Sequence, residues 1–161
     1  MRWIRFAVLI TIVGLLQAGA INVFAFKGVC PNLLLIFMVF FSIYSNTSDA
    51  IISSFTIGFI ADVIGGSQMG VDMLSFGVFG TLLAYLHSVI QIRKMPYQSA
   101  TIFVISMLTG FFAGLLNHLF KQPVPGMLNL FFISLYSAVV GPFLFLPSVW
   151  LMGIKTQRFR K

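Results

Sequence analysis

Three acidic side chains supply the carboxylate chemistry of this chain, and Asp62 is the only one within the otherwise apolar stretch Ile51–Ile64. Its surroundings read Gly58-Phe59-Ile60-Ala61-Asp62-Val63-Ile64-Gly65-Gly66-Ser67-Gln68-Met69-Gly70. A carboxylate in hydrocarbon costs roughly 2.5–3.5 kcal/mol at helix mid-depth, so it is kept where it has a partner or a task. The groups that could answer it are Lys27, His118 and Lys121, or the backbone donors of Gly65–Gly70. Such a cluster would form part of a partner or ligand site, or would pin the hairpin around it. An Asp62–His118 dyad is the nearest approach to acid–base chemistry, and a general base also needs a nucleophile and an oxyanion site. Paired carboxylates, a phosphate-cradling loop and a GxSxG elbow are missing from the sequence. With one cysteine, Cys30, and two histidines, His87 and His118, an internal disulfide is excluded and a structural zinc site is implausible. The chain reads as a non-enzyme with no cofactor and no metal.

The elements that must position these residues follow from composition. Of 161 residues, 59% are hydrophobic and 8% charged, and the mean hydropathy is +1.03. A soluble domain carries about a quarter of its residues charged. Lipid must therefore cover most of this surface, and the expectation is one all-α integral membrane domain over residues 1–161. A spanning helix needs about 20 apolar residues at a 1.5 Å rise. Six runs qualify to differing degrees: Ile4–Phe24, Asn32–Asn46, Ala50–Gly65, Val71–Gln91, Ser99–Phe120 and Met127–Met152. The second and third are short, with only Thr47, Ser48 and Asp49 between them, which predicts a tight helical hairpin in a locally thinned bilayer. β-barrel spans would alternate in polarity, and these runs do not.

Charge supplies the orientation. Arg2, Arg5, Arg93, Lys94, Lys155, Arg158, Arg160 and Lys161 fall on one side if six helices alternate, and Lys27 and Lys121 on the other. The positive-inside rule then puts both termini in the cytoplasm. The net charge of +7 is a topology signal, not a basic face for nucleic acid. Met1–Ala20 resembles a secretory signal, but apolar character resumes at Ile21–Phe26, so the first segment is expected to be retained.

Lipid gives helices no hydrophobic reason to associate, so small and polar residues must bring them together. Stripes at helical spacing are Ser54, Gly58, Asp62 and Gly65; Gly70, Leu74, Gly77, Thr81 and Ala84; Ser106, Gly110, Gly114 and Asn117; and Ser134, Ser137 and Gly141. They predict close packing, or else a lined cavity. Pro142 and Pro147 predict a kink in the sixth helix.

The order of features from Pro31 to Leu86 resembles the rod shape-determining protein MreD family. A proline leads a leucine-rich helix, Pro31-Asn32-Leu33-Leu34-Leu35-Ile36. A glycine-led helix ends in an acid, Gly58-Phe59-Ile60-Ala61-Asp62. A Gly/Ser turn and a second glycine, Gly70, open a leucine helix. The chain departs from the pattern at Ile60-Ala61, where family members usually carry a second glycine, and in the extra Asp72 of the outer loop region.

The resemblance implies a non-catalytic scaffold in the bacterial cytoplasmic (inner) membrane, a multi-pass component of the elongation machinery that inserts lateral peptidoglycan and maintains cell shape. Its implied partner is MreC, a single-span protein, with the MreB filament, the SEDS glycosyltransferase and a penicillin-binding transpeptidase reached indirectly. The implied fold is a six-helix bundle similar to the substrate-capture subunits of energy-coupling-factor importers. That likeness supplies the alternative, a solute-binding importer subunit in which Asp62, Asn117 and His118 line a cavity. Structural or partner-site candidates are Pro31, Gly58, Asp62, Gly70, Gly110, Gly114, Asn117 and His118. A partner helix should be gripped by a small-residue face left open to lipid, either Gly110–Gly114 or Ser137–Gly141.

Overall fold

The segment Leu-Leu-Leu-Ile-Phe-Met-Val-Phe-Phe-Ser-Ile-Tyr carries no polar face, and a helix apolar all round must be covered all round. The computed structural model describes residues 3–20, 30–65, 69–89, 95–122 and 126–152, and places this segment at the centre of a helical bundle. The helices are α1 (Trp3–Ala20), α2 (Leu33–Tyr44), α3 (Thr47–Gly65), α4 (Val71–Val89), α5 (Met95–Leu119) and α6 (Met127–Met152). No strand occurs among the described residues. Helix α2 touches each of the other five, and all its residues from Leu34 to Ile43 are buried. Aromatic rings key it to its neighbours. Phe41 meets Phe6 of α1 edge-on at 4.8 Å, and Phe40 meets Phe145 of α6 at 5.3 Å.

The chain is membrane-associated in character: α3, Tyr97–Leu119 of α5 and Met127–Phe145 of α6 are each long and apolar enough to cross a bilayer. Trp3–Gly19, Leu33–Tyr44 and Val71–Leu86 are shorter apolar helices. At 12 residues α2 measures about 18 Å, well short of a hydrocarbon core of about 30 Å. Because α2 is encased by protein, its shortness places no demand on the lipid. The thinning expected at the α2–α3 hairpin therefore has no basis in α2.

Several boundaries differ from the sequence reading. The connection between α2 and α3 is Ser45–Asn46, and Thr47, Ser48 and Asp49 form the first turn of α3 instead of separating two spans. An acid there complements the positive end of the helix dipole. Asp72 lies in the first turn of α4, not in a loop. Helix α5 starts four residues before Ser99 and ends at Leu119. Helix α6 is continuous through Pro142 and Pro147. Lys27, Arg93, Lys94 and Lys155–Lys161 lie outside the described residues, as does the run Ile21–Phe24 expected to extend the first span.

The small-residue stripes are packing faces. A side chain added at Gly77 would strike the Phe55 ring, one at Gly80 the Ser54 hydroxyl, one at Gly110 Leu130, and one at Gly141 Ile102. Three buried hydroxyls bond to their own helices: Ser54 to Ala50 O at 2.7 Å, Ser75 to Val71 O at 2.6 Å and Thr109 to Ile105 O at 2.6 Å, whereas Ser134 Oγ has no partner among the described residues. That back-bonding satisfies those three donors without a partner helix or a cavity. Leu74 departs from its stripe and faces outward, as does Gly65.

Candidate functional site

Helix α4 begins with a problem. Its N-cap is Gly70, whose carbonyl accepts the first helical bond from Leu74 N at 2.9 Å. Glycine has no side chain with which to satisfy the free N–H groups of the first turn. Asp62 of the preceding helix does this instead. Its Oδ2 accepts from Gly70 N at 2.8 Å and Met73 N at 3.0 Å, and its Oδ1 accepts from Asp72 N at 2.9 Å. The carboxylate is 2% exposed. Three N–H donors and the positive end of the α4 dipole together compensate its burial.

Two glycines make this reach possible. Gly58 lies one turn before Asp62 on the same face of α3. A Cβ built there would sit 2.6 Å from Met73 Cα and 2.8 Å from Asp72 O. Only a hydrogen lets the two backbones come this close. Gly70 has φ +105°, a conformation that L side chains rarely adopt. Gly58, Asp62 and Gly70 are thus one device: close approach, acceptor and turn. Among the described residues the bonds to Asp62 all come from backbone, two of them from beyond Gly70, while Lys27 lies outside those residues. Among the described residues His118 and Lys121 give it none, and both are exposed at the end of α5.

A second capped N-terminus lies at α2, on the same side of the bundle. Pro31 is buried, and Asn32 is the N-cap, its Oδ1 accepting from Leu35 N at 3.0 Å. Gln17 of α1 accepts from Leu33 N at 2.8 Å, and Ser137 of α6 accepts from Asn32 N at 3.0 Å. Three helices thereby converge on one helix start. Gln17 escaped the sequence reading, although a polar residue this far into an apolar span is itself a signal. Asn32 before an apolar run is an N-cap signal. Asn32→Ala is expected to lower stability by about 1 kcal/mol, read as a fall in unfolding midpoint. An unchanged midpoint would remove the cap from the account.

The remaining candidates do not join this cluster. Helix α5 closes with Lys121 at φ +56°, Gln122 N donating to Asn117 O at 2.9 Å and Lys121 N to His118 O at 3.1 Å. This is the Schellman pattern with lysine in the usual glycine place. Asn117 Oδ1 is buried without a hydrogen-bond partner among the described residues. Gly110 packs against Leu130 of α6, and Gly114 is half-buried. Ser137 and Gly141 are buried, facing Asn32 and Ile102. Gly110, Ser137 and Gly141 thus meet neighbours within the bundle. Gly110→Leu is therefore expected to overpack the α5–α6 contact and cost about 1–3 kcal/mol of stability. Normal stability with selective loss of a binding partner would restore Gly110 to an outer face.

Chemically, a carboxylate that accepts three backbone N–H donors at a helix start acts as a capping group. No group of three His, Cys, Asp or Glu that could hold a metal occurs among the described residues. A shallow groove of about 410 Å³ between α5 and α6 is lined by Met107, Leu108, Phe111, Met127, Leu128, Leu130 and Phe131, all apolar. The profile of the rod shape-determining protein MreD family matches residues 1–154. No curated protein and no solved structure matches the chain.

Proposed function

Because the chain belongs to the rod shape-determining protein MreD family, we propose that it is a non-catalytic scaffold in the bacterial inner membrane, supporting lateral peptidoglycan synthesis through a complex with an MreC-like single-span protein. The observation that carries this reading is the extent of the family match, which covers nearly the whole helical bundle. The membrane character of α3, α5 and α6 agrees with it. In this reading the bundle crosses six times, both termini face the cytoplasm, and the fold is akin to importer substrate-capture subunits. The split of basic residues, eight against two, supports that orientation. Asp62 and its two glycines then fix the shape of the scaffold and leave partner contact to outward faces. MreB, the SEDS glycosyltransferase and the penicillin-binding transpeptidase are engaged through the complex.

Depletion in a rod-shaped host tests this directly. Loss of rod form, with co-purification of a single-span periplasmic partner, is the expected result. An unaltered outline with a nutrient-uptake defect, and a small molecule held tightly by the purified protein, would replace the scaffold with an importer subunit.

A further inference from the structure

The groove between α5 and α6 has two ends of different chemistry. Its walls are apolar, with Met107 and Phe111 from α5 and Met127 and Phe131 from α6. Gly110 lets α5 settle onto Leu130 of α6, which also lines it. One turn before Met107, Phe103 meets Phe131 edge-on at 5.7 Å and closes that end. In the other direction the groove face of α5 runs on from Phe111 through Leu115 to His118, steps of four and three residues along one helix face, all three exposed. Lys121 follows where the helix closes, and it too is exposed.

Depth follows from the crossing. The part of α5 fit to span a bilayer is Tyr97–Leu119, whose middle residue is Leu108, itself in the groove wall. In α6 that part is Met127–Phe145, and the groove draws only on its first half. The groove thus lies within one leaflet, closed towards mid-membrane and open towards the headgroups. From Met107 to His118 is about 16 Å at 1.5 Å per residue, close to half of a hydrocarbon core of about 30 Å. Charge at the open end has one sign. Lys121 carries an ammonium and His118 a ring N–H, and the sequence holds no acid after Asp72, so neither the hairpin nor its turn offers a carboxylate. The last carbonyls of α5 are met by backbone N–H groups, those of Lys121 and Gln122 among them, and the lysine side chain is left exposed. Phosphate is the anion a bilayer presents at this level, and ammonium and imidazole N–H groups bind it through charge-assisted bonds. A helix about 10–12 Å across would lie over a groove between two touching helices, whereas a single acyl chain enters it.

We propose that the α5–α6 groove binds one anionic phospholipid, with an acyl chain between Phe111 and Phe131 and the phosphate at His118 and Lys121. The site requires only that this hairpin cross the bilayer, and it stands whether or not the scaffold reading does.

Tryptophan quenching by brominated lipid tests it on the full chain in vesicles. In a Trp3→Phe, Trp150→Phe background the reporter is Phe111→Trp on the groove wall, with Leu108→Trp as a second should the first disturb folding. Phe59→Trp on α3 is the reference, at a position as exposed as Phe111. The vesicles hold phosphatidylcholine with phosphatidylglycerol as the minor component, and the bromine is carried by one or the other. With brominated phosphatidylglycerol, the groove reporter should be quenched as if that lipid were enriched about three- to fivefold over the reference position. Lys121→Gly removes the charge and suits φ +56°, so it should reduce this enrichment without lowering the unfolding midpoint, and Lys121→Arg should retain it. Equal quenching of groove and reference reporters by brominated phosphatidylglycerol would overturn the proposal, as would enrichment that survives Lys121→Gly combined with His118→Ala. A groove reporter that neither lipid quenches would overturn it too, because a second copy of the chain would then cover the groove.

Discussion

Asp62→Leu is expected to stop the protein accumulating in the membrane. The substitution removes the acceptor of Gly70 N, Asp72 N and Met73 N together. A buried donor left without an acceptor costs about 1–3 kcal/mol, so for three donors the sum is on the order of 3–9 kcal/mol before any loss of charge–dipole energy. Against a typical folding stability of 5–15 kcal/mol, that loss is decisive for many chains. Asp62→Asn should fall between parent and Asp62→Leu, since the carboxamide keeps one acceptor oxygen but loses the charge. The measurements are membrane abundance and unfolding midpoint for the three chains side by side. If all three accumulate and unfold alike, the carboxylate has neither a structural nor a partner role. If Asp62→Asn folds normally yet loses rod-shape activity, the charge serves something beyond capping.

Gly58→Val should be nearly as severe, and Gly58→Ala should already be measurable. The added Cβ would meet Met73 Cα at 2.6 Å, where ordinary carbon contacts are roughly 3.5–4.0 Å apart. The obstacle is backbone, so no rotamer change relieves it, and α4 must move away by about 1 Å. Overpacking of this kind costs about 1–3 kcal/mol, and here it also stretches the three bonds to Asp62. The two substitutions are therefore coupled. Gly58→Ala combined with Asp62→Leu should cost less than the sum of the single changes, because the second removes bonds the first has weakened. Strict additivity of the unfolding free energies would show that the close approach and the cap are independent.

Much of this arrangement was legible in the chain, and the reasons are physical. Hydropathy located every helix because length in lipid is a strong constraint. Asp62 stood out because a lone acid in an apolar run is costly wherever it lies. What the sequence left open was its partner. Backbone N–H groups are identical at every position, so no residue type announces that Gly70, Asp72 and Met73 are the donors. The sequence offers Lys27, His118 and Lys121 beside the backbone of Gly65–Gly70; Gly70 N does serve, while His118 and Lys121 are exposed at the end of α5. The same asymmetry explains the Gly110 and Ser137–Gly141 faces. Small residues mark where helices approach, but spacing cannot distinguish a neighbour in the same chain from one in another. Only the positions of Leu130, Ile102 and Asn32 decide that these contacts are internal. Helix α2 reads in the sequence as apolar along its whole length, but not as the helix the others surround. Its encasement depends on five other segments and is invisible to any window of sequence.

The ordering of synthesis gives that encasement a consequence. Helix α2 leaves the ribosome well before α6, yet the serine that accepts its Asn32 N–H and the ring that meets Phe40 belong to α6. Until α6 arrives, the middle of the bundle has no lid on that flank. The nascent bundle thus stays unfinished until α6 is made, and a chain cut short before Phe145 leaves α2 with no settled home and open to the quality-control proteases of the bilayer.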